Sequence, residues 1–204
     1  MAKANWDIWT SGGYEVNTDH CISATHGMKC ISGETRFFYN GKVDFTNVRI
    51  EGQFWDGAGY YGNYHSIWAR ANQLSTISNG YRVLFGAHNS SQAWTLRGIT
   101  RYNASVATAL NITGGGYGYP PKTVTNARTA FQKLRLSVTT ETDMVALRLE
   151  WYNSATPAWE MFYEFQDYSA SRITATGYAG FGFTGGLAPV VIYVDDISIY
   201  ELTS

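Results

Sequence analysis

Apolar and polar residues alternate with a period of two along most of the chain, and the spacing of an amphipathic helix is hard to find. Within residues 47–54, Val48, Ile50 and Phe54 point one way while Arg49, Glu51 and Gln53 point the other, which predicts a strand with one wet face. Residues 133–138 and 145–151 repeat the pattern, setting Glu51 and Glu150 on solvent faces, and the polar stretch 139–143 joins them as a hairpin connection. Further strands are predicted over 66–71, 81–87, 94–102, 160–165 and 178–183. The last run, 190–200, begins apolar on both faces, as a strand covered on both sides does. Asn40-Gly41, Asn79-Gly80 and Gly185-Gly186 punctuate the series as turns. About a dozen short strands at this spacing predict an all-β chain, a two-sheet antiparallel β-sandwich or jelly roll. No Pro/Ser-rich linker and no internal repeat divide it, so residues 1–204 read as a single domain.

Composition narrows the function classes. Aromatic residues make up 16% of the chain beside 21 Gly and 4 Pro, which suits short strands joined by glycine turns. Only 15% of residues are charged and the net charge is −1, whereas phosphate-backbone binding calls for a basic excess, so no nucleic acid partner is expected. No stretch approaches the roughly 20 apolar residues of a membrane span. The opening residues, Met1 to Trp6, show no signal-peptide core. The expectation is cytoplasmic synthesis, with a virion surface as one destination, or an extracellular protein whose signal has been removed.

The two cysteines, Cys21 and Cys30, flank a predicted hairpin with arms 20–23 and 28–31 and a turn near 25–27. That register makes a cross-strand disulfide conceivable, against two reduced, half-buried thiols. A zinc site from His20, Cys21, His26 and Cys30 matches no common ligand spacing.

Catalytic patterns are sparse. There is no Gly-x-Ser-x-Gly elbow, no phosphate loop, and the four histidines are scattered. Gly114-Gly115-Gly116-Tyr117-Gly118 lacks the following helix that a nucleotide loop needs. Sequons at Asn89, Asn103 and Asn111 read as incidental. What stands out is aromatics outside any apolar alternation, in residues 55–65 and 114–121. Trp55, Tyr60, Tyr61, Tyr64, Tyr117 and Tyr119 are the candidate ligand-binding rings: interspersed with glycine, they can stack on a sugar while their hydroxyls hydrogen-bond. The competing reading is that they fold back to plug the ends of a sandwich.

Four stretches carry a family resemblance: WDIWTSGGYEV (6–16), FTNVRIEGQFW with YHSIWARA (45–55, 64–71), AFQKLRLSVTTETDMVALRLEWY (130–152) and GYAGFGFTGGLAPVVIYVDDISIYEL (177–202). Their order resembles the concanavalin A-like lectin/glucanase superfamily, particularly its laminin-G-like branches, and the closing strand also resembles galactose-binding-like modules. The resemblance implies a jelly roll and places Asp195 and Asp196 where several carbohydrate-binding relatives hold a structural calcium, with Asp7, Glu15 and Asp19 as further ligands to weigh. The alternative for the two acids is an edge cap or a pairing with Arg. The superfamily's hydrolase signature, Glu-x-Asp-x-x-Glu along one strand, is missing, so no catalytic residue is assigned. The expected function is therefore non-catalytic recognition of a glycan or protein surface. The rival is a virion structural protein, a capsid decoration or tail component acting as a homo-oligomer, and a glycoside hydrolase is the weakest of the three.

Overall fold

Among the described residues the alternation becomes thirteen strands, and every pairing between them is antiparallel. The computed structural model describes residues 5–17, 27–56, 64–72, 76–87, 94–110, 130–185 and 192–203. The strands are β1 (Trp6–Thr10), β2 (Gly13–Asn17), β3 (Gly27–Tyr39), β4 (Val48–Asp56), β5 (Tyr64–Ala71), β6 (Gly80–Ala87) and β7 (Trp94–Asn103). They continue with β8 (Val106–Leu110), β9 (Gln132–Thr140), β10 (Val145–Asn153), β11 (Ala158–Asp167), β12 (Tyr178–Gly185) and β13 (Ile192–Glu201). No helix among the described residues is long and apolar enough to cross a membrane.

Two sheets share one strand. Sheet I runs β1-β3-β12-β5-β6-β7-β8, and sheet II runs β2-β3-β13-β4-β9-β10-β11. Residues 27–32 of β3 pair with β2, and residues 35–39 pair with β1, so β3 crosses from one sheet to the other. The crossing needs glycine. Gly33 turns the chain at φ +64, and opposite it Gly12 breaks β1 from β2. A Cβ on Gly12 would stand 1.9 Å from the Ser32 carbonyl oxygen, and one on Gly33 would stand 2.8 Å from the Gly12 Cα. The two backbones touch where both bend.

Between the sheets lies the core that the alternation predicts. Val48, Ile50, Phe54, Leu134, Leu136, Val138, Leu147 and Leu149 face Phe37, Ile67, Val83, Phe85, Phe181 and Phe183. Phe54 reaches across to Phe85 with ring centroids 5.1 Å apart, and Phe37 stacks on Phe181 at 4.8 Å. Burial of each such ring contributes roughly 1.5–3 kcal/mol. Two polar ties close the sandwich at its rim. Asp167 of β11 accepts from Arg101 of β7 at 2.9 Å and from the Tyr81 hydroxyl of β6 at 2.8 Å. Arg70, at φ 56, donates to the carbonyls of Thr46 and Ile173 at 2.8 and 2.5 Å and to the Thr140 hydroxyl at 2.7 Å.

Three expectations change. Met28 and Lys29 lie between β2 and β13, with Tyr14 opposite Cys30, so β2 is the strand beside 28–30, and the expected arm 20–23 lies outside the described residues. Glu150 is only 4% exposed, because Arg135 beside it grips the carboxylate at 2.6 and 3.2 Å. β8 went unforeseen; its side chains are mostly exposed, leaving no apolar alternation to read.

Candidate functional site

Of the candidate rings, Tyr60, Tyr61, Tyr117 and Tyr119 lie outside the described residues. Trp55 and Tyr64 flank the 57–63 connection from opposite sheets. Trp55 ends β4 in sheet II and stacks on Tyr193, its cross-strand partner, at 5.0 Å and 20°, with Phe131 at 5.7 Å. That is a cross-strand packing arrangement. Tyr64 opens β5 and pairs with Thr184, while His65 next to it turns into the core, so the Tyr64 position belongs to the outer face of sheet I.

That outer face holds the richest set of recognition groups among the described residues. Ile8, Phe37, Ile67, Val83 and Ile99 point inward, so their neighbours Trp9, Arg36, Trp68, Arg82 and Tyr102 point out. The outward groups interleave. Arg36 lies 4.4 Å from the Trp9 ring and 5.0 Å from Trp68; Arg82 lies 5.3 Å from Trp68 and 5.7 Å from Tyr102. Each is a cation–π contact of about 0.5–2 kcal/mol, depending on desolvation. Trp68 is the floor of this arrangement. It is fully buried, donates from Nε1 to the Ser66 hydroxyl at 3.0 Å, and packs with Phe38, Ala71 and Ile77. Trp9, Tyr102, Arg36 and Arg82 remain half-buried and present edges to solvent.

Glycine makes the span possible. On β12, Gly180 sits between Phe38 and Trp68, and Gly182 between Arg36 and Ser66. A Cβ at Gly182 would meet the Thr35 carbonyl oxygen at 2.5 Å and the Ser66 hydroxyl at 2.9 Å. With no side chains at Gly180 and Gly182, Arg36 and Trp68 meet across β12. The sequence signal was present but unread: in residues 64–71, Trp68 falls on the polar parity with Ser66.

Several charged residues of sheet II are tied to one another. Glu51 pairs with Lys133 at 2.6 Å, and Glu150 pairs with Arg135 and, at 3.3 Å, with Arg148. Arg135 also lies 4.1 Å from the Trp159 ring. Burial raises the Asp167 carboxyl pKa, but hydrogen bonds from Ser169, Arg101 and Tyr81 outweigh it and hold the group below its usual range. A glycosidase acid needs the opposite shift.

Asp195 is fully buried and accepts the Asp196 amide at 2.7 Å, closing the bulge in β13 where Asp196 takes φ 51. Among the described residues no group of three or more His, Cys, Asp or Glu is placed to hold a metal ion, and Asp19 lies outside those residues. Cys30 is a free, buried thiol whose pKa burial pushes up to about 12, and Cys21 lies outside the described residues. A groove of about 400 Å3 opens where Asn5, Trp6 and Tyr39 meet the Ile197–Tyr200 stretch of β13.

No protein-family model and no curated protein matches the sequence. Solved structures do match. The cellulose induced protein Cip1 superposes with a TM-score of 0.60 at 15% identity, over 99% of this chain and 94% of that one. The legume lectin-like domain from Entamoeba histolytica gives 0.59 at 11% identity, over 98% and 91%. The VIP36 exoplasmic/lumenal domain in its Ca2+/Man3GlcNAc-bound form gives 0.59 at 10% identity, over 100% and 86%. At these identities the likeness shows the fold alone, a β-sandwich of the concanavalin A-like jelly-roll kind.

Proposed function

We propose that the chain is a non-catalytic carbohydrate-binding domain whose ligand lies on the outer face of sheet I. The observation that carries the reading is the outward set of Trp9, Tyr102, Arg36 and Arg82 arranged over the buried Trp68. Aromatic faces suit the apolar faces of pyranose rings, and guanidinium groups donate to ring hydroxyls in fixed directions. Tyr64 contributes at the neighbouring position, next to Thr184 and Ser66. The fold shared with the lectin-like domain and with the mannose-oligosaccharide-bound VIP36 form supports this choice of ligand. Glu51 and Glu150 of sheet II are each paired with a cation, which supports binding over hydrolysis. The virion-surface alternative draws no support from these neighbours.

Trp9→Ala and Tyr102→Ala, screened on a glycan array and quantified by calorimetry, should each weaken the best saccharide about tenfold or more with little change in Tm. Tyr200→Ala is the control for the groove beside β13. Loss of binding in that variant alone would move the site there, and an array that stays blank would overturn the reading.

A further inference from the structure

Arg82 differs from the other guanidiniums that the structure describes on the sheet faces. Arg36 pairs with Glu34 at 2.9 Å, and Arg135 pairs with Glu150. Among the described residues the Arg82 side chain has no hydrogen bond or ion pair, and its Nε is buried without an acceptor. Among the described residues Trp68 and Tyr102 hold it through their rings. Its neighbours across the sheet are Trp68 and Thr100, and Leu84 follows on the same face of β6. The adjoining strands β5 and β7 carry no acid; farther across the face, Glu34 is spent on Arg36, and Asp7 accepts from Asn40 at 3.2 Å.

A guanidinium held against two rings and left without an acceptor is a fork for a planar oxyanion. Its orientation is set before the ligand arrives, so little side-chain freedom is lost on binding. A neutral sugar hydroxyl could satisfy one N–H, but a carboxylate satisfies two at once and supplies the missing charge.

We infer that the outer face of sheet I takes an anionic saccharide, with the Arg82 guanidinium receiving the carboxylate of a uronate residue while Trp9 and Tyr102 take the sugar rings. This rests on the carbohydrate-binding reading above and narrows its ligand class.

The test pairs each of four uronate tetrasaccharides, built on galacturonate, guluronate, mannuronate or glucuronate, with its carboxyl-reduced neutral counterpart. Affinities are measured by calorimetry on the whole chain. At least one acid form should bind about tenfold tighter than its neutral partner, with the advantage shrinking as salt rises. Arg82→Gln should bring that ratio close to one, and Arg82→Lys should leave it in between, since charge is kept but the fork is lost. Tm of both variants confirms that they fold. Equal binding of acid and neutral forms by the unaltered chain would overturn the inference and leave the carbohydrate-binding reading standing. A preference that survives Arg82→Gln would overturn the assignment to Arg82, and failure of every tetrasaccharide to bind would count against both.

Discussion

His65 shows how a single polar residue in the core sets a pH limit. It is fully buried between Phe54 and Phe85, with ring centroids at 5.3 and 5.5 Å. Burial lowers its pKa from 6.5 to about 3, against a smaller opposing effect of the Trp55 backbone. The unfolded chain therefore takes up a proton near pH 6.5 and the folded chain only near pH 3. The stability of the neutral ring is complete above pH 6.5 and is lost as pH falls toward 3. Between pH 6.5 and 4.5 the protein should lose about 2 kcal/mol more than a His65→Phe variant, each referred to its own value at pH 7 in urea titrations. Equal losses would mean that the ring is solvated. Cys30, with its thiol pushed up to about 12, should stay unmodified by iodoacetamide at pH 8 until the chain unfolds.

At the scale of elements, the crossing of β3 between the sheets rests on Gly12 and Gly33. Gly33→Ala adds both a strained φ and a backbone collision, and Gly12→Ala adds a collision alone. Each should cost about 2 kcal/mol or more in denaturant titrations. Gly13→Ala is the internal control. Its Cβ would meet only the Ile31 side chain at 3.4–3.8 Å, so a change within about 0.5 kcal/mol is expected. A Gly13 effect equal to the other two would show that strand propensity, and not the crossing, is at stake. The strands themselves were largely legible: β4, β5, β6, β9, β10, β11 and β12 start and stop within about two residues of the alternation that foretold them. That β2 lies beside residues 27–32 was not legible, because a local turn signal near Gly27 says nothing about which other strand lies alongside.

At the scale of the whole molecule, the ties between sheets matter most where the core thins toward the rim. Arg101 and Asp167 link β7 of sheet I to β11 of sheet II, with Tyr81 completing the cluster and its hydroxyl also accepting the Ile173 amide at 2.9 Å. Arg101→Met leaves Asp167 buried without its cation and should cost about 3–5 kcal/mol. Replacing both, as Arg101→Met with Asp167→Leu, should recover part of that loss, measured as a double-mutant cycle. Additive losses would show that the pair is screened by water.

Parity along the chain was enough to foresee an all-β sandwich, since a residue's side of a strand follows from counting by two and burial follows from polarity. The same counting puts Phe54, Trp151 and Phe183 in the core; the structure buries Phe54 and Phe183 and packs a partly buried Trp151 against them. It could not say that Trp9, Arg36, Trp68, Arg82 and Tyr102 share a surface, because they come from β1, β3, β5, β6 and β7 and meet only through pairings made at long range. Nor could it say that Glu150 is sealed by Arg135 while Arg82 has no carboxylate, since charge pairing depends on which strands become neighbours. Composition limits what a face can contain, and strand order decides which residues form it.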